Sequence, residues 1–565
     1  SPTREFKDSS TIIDWVATNQ KRLKPVVRND CNIADHNFIC FDFFPRKNQS
    51  NIVSRIQADW KNYSPQNLST HLSSLDWNRF DQLRDVNDKY AFMSDSLLTY
   101  LNSSVVTTTV KRSASFKWYN SELSKLKADK FESKARWNHS KTDDNWKLYT
   151  RARNIYKNKL KSTEASYIQN ELASNSDDPK KLWRTLKSIY GNNENSQLNA
   201  INFDSSLDTD PTSISSKLNK HFVQSVEKLV SEIPFVDNNV CFVINSSTTQ
   251  FSFTEVTYST VKFYVSEMKK KTYHDRITGR VINDAITNPN FLFSLTAFIN
   301  QSLSKGIVPN YCKISTVTPI QKVKGSLDVN DLRPINTLCV IGQVLERVVK
   351  DQLLEYFELN NLFASQQSGF RKVHSCETSI TDVLSEWKDA VDNNLVVVAV
   401  FIDLKRAFET VDRQLLLHKL SLYGCDETVI SWFTSYLTER CQQTRFGSAI
   451  SDLLSILIGV SQGSVLSCIL FIIFINDVVN VVQHTKIKLF ADDTLIYIAC
   501  KANELEATIA LLNYDLKLIY EWLCYSKLAL NVNKSKAMLI SSNKSLVLSH
   551  PIYLNEQAIE IVSEF

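Results

Sequence analysis

The chain has 565 residues, with 65 Lys+Arg against 60 Asp+Glu and only ten glycines. No two glycines stand two apart, and Gly459 and Gly463 lie too close together for a Walker A loop, so the two common glycine-rich nucleotide loops are excluded. The longest apolar runs, 395–402 and 469–475, are too short to span a bilayer, so no membrane partner is expected; the 11 cysteines contain no CxxC and read as reduced intracellular thiols.

In chain order, residues 1–44 read as short strands and turns over 11–17 and 31–44, and 46–110 show weak helical patterns. Residues 111–191 hold 19 of the 65 basic and nine of the 60 acidic side chains, a net of +10, which leaves the remainder at −5. This stretch reads as helical, with Trp118, Trp137, Trp146, Tyr149, Tyr156, Tyr167 and Trp183 among its lysines and arginines. Such charge faces either a polyanion, nucleic acid first, or simply water; most of the aromatics are expected as the core of a helical hairpin. Residues 192–250 read as loop-rich, with one helix near 214–230.

From 251 the texture becomes that of an α+β domain. A helix is expected over 254–271. The apolar run 395–402 reads as a buried strand ending in Asp403, followed by a helix over 405–423. After Gly463 an apolar helix should run to about 482. Strands at 487–490 and 494–499 flank Ala491-Asp492-Asp493. Leu505, Ile509, Leu512, Leu516, Ile519 and Leu523 recur at three and four, an amphipathic helix, and 536–541 is a final strand.

The acids stand out. Asp492 and Asp493 sit between two apolar strands with no Asn-Gly or Asp-Gly turn chemistry; they read as an ordinary acidic turn or as a charged site. Asp403 ends a buried strand, where a carboxylate is costly without a partner. If that strand lies beside the hairpin, the three acids form a hard-oxygen cluster suited to Mg²⁺.

Together these segments resemble the reverse transcriptases of non-LTR (LINE-type, jockey-like) retrotransposons. FIDLKRAFETVD at 401–412, GVSQGSVLSCILFIIFIND at 459–477, FADD at 490–493 and LNVNKSK near 530–536 are similar to motifs A to D; DLRPINTLCVIGQVLER at 331–347 and QQSGFRKVHSCET at 366–378 are similar to upstream segments. PTR at 2–4, STIIDWV at 10–16 and ADH at 34–36 resemble the end of the apurinic-type endonuclease that precedes the polymerase in that family.

The resemblance implies a right-hand fingers and palm fold preceded by a helical linker and a truncated endonuclease α/β-sandwich remnant. Its parts would be the remnant at 1–45, a basic linker at 46–250, fingers at 251–395, palm at 396–545 and the start of a thumb connection at 546–565. It implies an RNA-directed DNA polymerase that adds dNTPs to a DNA 3′ end on an RNA template with two Mg²⁺ ions, or Mn²⁺, and works with the element RNA in a ribonucleoprotein in nucleus and cytoplasm. Asp403, Asp492 and Asp493 would hold the metals, and Lys322 and Arg333 the triphosphate. Phe408 would exclude a ribose 2′-hydroxyl, and Gln462 and Gly463 would lie under template and nucleotide. Lys534, or Lys536 in its place, would protonate pyrophosphate. Asp14, Asp35 and His36 would be endonuclease residues. A catalytically silent nucleic-acid-binding remnant is the alternative; an intron-maturase or telomerase-type polymerase is a third.

Three departures stand against the family pattern. Where it usually reads SPGPDG, residues 271–278 read KTYHDRIT and keep only Asp275; Ser461 replaces a proline; Glu409 replaces an aspartate. The truncated motifs at both ends suggest an internal piece of a longer element protein or a decaying copy.

Overall fold

The computed structural model describes residues 59–105, 118–175, 181–183, 198–204, 206–236, 249–268, 275–543, 546–548 and 550–563, the single residues 178 and 185, and, before residue 59 and over 106–111, strand backbone only. These fall into two units: Ser1–Ala58 with Thr107–Asn193, and Asp59–Val106 with Glu194–Phe565.

In the first unit, strands Ser9–Thr11, Arg4–Phe6, His36–Cys40 and Val26–Ile33 form an antiparallel sheet in that order. Asp14 and Asp35 lie outside the described residues, and only the backbone is described at His36. The basic segment forms an antiparallel pair of helices, Ser121–His139 and Asp143–Ser174, capped by Asn120 and Thr142. Leu123 is their only buried residue. The expected aromatic core is absent: Trp137, Trp146 and Tyr149 cluster at the hairpin turn, with Lys141 3.2 Å from the Trp137 ring centre, and Trp146 remains 43% exposed. Two helices alone enclose too little volume to bury rings of this size.

The second unit begins with helices Pro65–Ser73, Trp77–Gln82 and Val86–Ser104. They lie on helices Gly279–Ala285 and Pro289–Lys305, joined by the Tyr63 hydroxyl to Asp284 (2.7 Å) and the Asn288 amide to Ser73 (2.8 Å). Helix Tyr258–Ser266, shorter than its pattern predicts, starts where Thr257 caps it.

A first sheet has the order Leu332–Thr337, Ile314–Gln321, Cys441–Phe446, Ala449–Ile450. Helix Pro211–Ser231 covers it: Ile214, Leu218 and Phe222 pack with Val317, Leu332 and Phe446, and buried Asn219 hydrogen-bonds with Gln442 and Thr444. This helix, which falls within the stretch read as linker, therefore supplies part of the sheet's core.

The second sheet has the order Lys486–Phe490, Asp493–Cys500, Val396–Ile402, Lys536–Ile540, Glu560–Ile561. Val396–Ile402 is central and covered on both faces, which explains its unbroken apolar run. Val397 and Ala399 meet Val383 and Trp387 of helix Cys376–Asp392. That helix is tied down by Glu386, which accepts bonds from Lys486 and the Tyr497 hydroxyl (2.6 and 2.8 Å). Helix Leu505–Tyr525 packs on strand Asp493–Cys500. Beneath it, Lys419 and Asp477 form a fully buried ion pair (2.5 Å), and the Trp522 indole N–H donates to the same carboxylate.

Among the described residues no helix is long and apolar enough to cross a membrane.

Candidate active site

Strand register brings the acids together. Ile402 pairs with Thr494, so one further step sets Asp403 beside Asp493, and Asp492 occupies the two-residue turn between Phe490 and Asp493. Burial first, then the charge of Asp403, raises the Asp492 carboxyl, while Arg333 lowers it. Burial, Asp492 and Asp403 raise that of Asp493. The three carboxylates thus repel one another, although among the described residues no three acids, histidines or cysteines converge into a ready-made ion cage.

Asp403 is held from its other side. The Asn531 side-chain amide donates to Asp403 Oδ2 (2.6 Å), the Asn531 backbone N–H donates to the Asp403 carbonyl (2.9 Å), and the Asp403 N–H donates to Ser535 Oγ (3.2 Å). Asn531 and Ser535 come from the turn after helix Leu505–Tyr525 that also carries Lys534. The Lys534 side chain is exposed and lines a groove of about 780 Å³ together with Asp403 and Asp493. Lys536 lines it too, but its ammonium is engaged by Glu560 (2.7 Å).

The acidic turn is strained and clamped. Ala491 adopts φ 57°, where a side chain costs about 1–2 kcal/mol. The Ala491 N–H donates to Gln367 Oε1 (3.1 Å), which also accepts from the Gly369 N–H (2.7 Å). Backbone bonds between Leu489 and both Gln366 and Ser368 complete the clamp. A Cβ on Gly369 would lie 2.3 Å from the Ala491 nitrogen, so only glycine fits there. Sequence reading quoted Gln367 and Gly369 inside QQSGF without giving either a role, and it missed Asn531. A side chain whose partner lies far along the chain leaves no signature of its own.

The helix expected over 405–423 is broken. Arg406 takes φ 50°, a short turn Ala407–Thr410 follows, and Asp412 caps helix Arg413–Leu422. The break lets the loop after Ile458 dock: the Val460 N–H donates to the Phe408 carbonyl (2.8 Å) and the Gly459 N–H to that of Val411 (2.9 Å). Arg413 fixes the loop through the carbonyls of Ile456, Ile458 and Gly459. Phe408 is half-buried, its ring stacked on Phe471 with centres 4.6 Å apart.

Gln462 accepts the Asn336 N–H through its carbonyl (2.8 Å), and Gly463 has φ 112°. A Cβ on Gly463 would lie 2.6 Å from the Asn336 carbonyl oxygen, so this glycine is required by close approach to the first sheet. Lys322 and Arg333 stand at the loop end of the hairpin built by Ile314–Gln321 and Leu332–Thr337. Burial first, then Arg406, pushes the Lys322 ammonium below its usual value; Lys534 and Arg333 act in the same direction and Glu409 opposes them.

Asp275, the retained acid of the departed segment, is buried; burial pushes its carboxyl up to about 7, against bonds from the Val340 and Ile277 N–H groups. The next residue, Arg276, where the family pattern has glycine, has φ 66° and an exposed side chain.

A strand end and a hairpin turn of the second sheet present three acids, with the charge of Arg333 reaching one of them, and the comparisons with known proteins cover the segment that carries them. Residues 320–558 match the family described as reverse transcriptase (RNA-dependent DNA polymerase). The chain is 28% identical over 269 residues to the RNA-directed DNA polymerase from mobile element jockey of Drosophila melanogaster, covering 46% of this chain and 29% of that protein. It is 27% identical over 289 residues to the jockey protein of Drosophila funebris (49% and 31%) and 24% identical over 288 residues to the probable RNA-directed DNA polymerase from transposon X-element of Drosophila melanogaster (50% and 31%). The chain thus spans less than a third of the length of each of these relatives.

Proposed function

We propose that this chain is an RNA-directed DNA polymerase of a non-LTR retrotransposon, with the first sheet as fingers and the second as palm. The observation that carries the reading is the register that sets Asp403 beside Asp493 across the turn bearing Asp492.

Asp403 and Asp492, with Asp493 as the third acid, would hold Mg²⁺ or Mn²⁺. The fit rests on hard oxygen donors and on mutual repulsion that a cation relieves. When bound, such ions activate the attacking 3′-hydroxyl and stabilise the leaving pyrophosphate. The chain's own residues do the rest. Asn531 orients Asp403, and Gln367 holds the turn of Asp492. Phe408, braced on Phe471, sets a wall against a 2′-hydroxyl. Lys322 and Arg333 neutralise the triphosphate. Lys534, exposed in the groove while Lys536 is engaged by Glu560, donates the proton to pyrophosphate.

The RNA template, DNA primer and dNTPs follow from this reading, as do the element ribonucleoprotein and a nuclear and cytoplasmic location. The endonuclease remnant at 1–45, with Asp14, Asp35 and His36, rests on sequence resemblance.

The test is primer extension on an RNA template with dNTPs and Mg²⁺. Incorporation that Asp403→Ala and Asp492→Ala each abolish supports the reading; equal activity in Asp492→Ala refutes it. Retained RNA binding with no incorporation, even in Mn²⁺, would leave a nucleic-acid-binding remnant.

A further inference from the structure

We propose that Arg406 is a third phosphate-binding residue of the nucleotide site, parked on Glu409 until the triphosphate of the incoming nucleotide displaces that carboxylate. This inference rests on the polymerase reading.

Arg406 stands three residues after Asp403 and two before Phe408, at the left-handed turn that breaks the expected helix. Its one ion pair among the described residues, Nη1 to Glu409 Oε2, is loose at 3.4 Å, and neither atom makes a hydrogen bond although both are buried. Beside the docked loop, Arg406 is held at φ 50° with its charge turned inward.

The surroundings carry an excess of positive charge. The charge of Arg406 acts on Lys322 of the first-sheet hairpin, which Arg333 and Lys534 also reach, and on His221 of helix Pro211–Ser231, whose Nε2 is buried without a hydrogen bond. Cationic groups from three separate elements, Arg406, Lys322 with Arg333, and Lys534, therefore act on one another, and Arg406 and Lys322 act on Glu409 itself. The charges of Asp204 and Asp328 act on His221 in the opposite sense to that of Arg406. Cations from separate elements repel unless an anion joins them. A chain of phosphates has the charge and reach to bridge all of them, and a guanidinium can grip phosphate oxygens in pairs. Glu409 holds the place of that anion, which explains a contact too long for a settled hydrogen bond.

The two partners should respond in opposite directions. Arg406→Gln should raise the KM for dNTP about tenfold or more with a smaller change in kcat, and Arg406→Lys should recover part of the loss. Glu409→Gln removes the competing anion and should tighten the binding of inorganic tripolyphosphate to the whole chain, measured by calorimetry, by a few-fold. A pair that only supports the fold would make both variants bind more weakly. Unchanged dNTP KM in Arg406→Gln, while the wild type incorporates normally, overturns the inference and leaves the polymerase reading intact. A weaker grip on primer–template with unchanged dNTP KM also overturns it, because the cation then serves the nucleic-acid backbone. Arg406-dependent tripolyphosphate binding without any incorporation supports the inference and counts against the polymerase reading.

Discussion

Gln367→Met tests whether one buried amide holds the acidic turn in place. Methionine matches glutamine in length and fills the same fully buried space, but it removes the acceptor shared by the Gly369 and Ala491 N–H groups. Each orphaned buried donor costs about 1–3 kcal/mol. Against that, Gln367 Nε2 is itself buried without a partner, and methionine relieves that cost. The net loss of stability should therefore be only about 1–3 kcal/mol. The effect on catalysis should be larger. Without its acceptor, Ala491 has reason to leave φ 57° and carry Asp492 with it, and a displacement near 1 Å costs roughly a hundredfold in rate. Urea unfolding would give the first quantity and single-nucleotide incorporation the second. Adding Ala491→Gly, which removes the left-handed strain, should restore part of the rate. A Gln367→Met chain whose kcat stays within about threefold of the wild type would refute the clamp, because the roughly hundredfold penalty would be absent.

Burial and mutual repulsion raise the carboxyls of Asp492 and Asp493 above 3.8, so the stability linked to their protonation is present at low pH and is lost as pH rises through the raised values. At neutral pH without metal, Asp492→Asn should melt at a higher temperature than the wild type, and Mg²⁺ should raise the wild-type Tm more than that of the variant; equal Mg²⁺ responses in a melting scan would count against a metal at these acids. Lys419→Met should cost about 3–5 kcal/mol in urea unfolding, because it strands the buried Asp477, and adding Asp477→Leu should recover much of that. Arg276→Gly should stabilise the chain by about 0.5–1 kcal/mol, since φ 66° suits glycine and the arginine is exposed; a lower midpoint in the same titration would show that Arg276 makes a contact of its own.

Much of this site was legible as pattern. The apolar run into Asp403, the flanks of Asp492-Asp493 and the three-four spacing from Leu505 to Leu523 each match an observed element, because burial on fixed faces imposes a period on the sequence. The break at Arg406 was hidden, because the stretch after it keeps a helical composition and the conformation is imposed by the docking loop at Gly459. Gln367 and Asn531 were hidden for a different reason: their partners lie 124 and 128 residues away, and a bond to a residue that distant in the chain leaves no local spacing to read. The hairpin aromatics were misjudged because helical spacing tells which side chains share a face, not whether anything covers it.

The packing of Val86–Ser104 on Pro289–Lys305 has a consequence for the chain as it is being made. From Ser104 to Lys305 there are 201 residues, and a ribosome adding roughly 5–20 per second needs about 10–40 s to supply them. For that interval Tyr90, Met93, Leu97 and Leu101, all buried in the finished unit, lack helix Pro289–Lys305, one of the helices packed on theirs. The basic hairpin is synthesised in between and contributes none of that partner helix. Nascent chains halted before Lys305 should therefore be the aggregation-prone species of this protein, and binding of a chaperone to that early helix is where its folding yield would be decided.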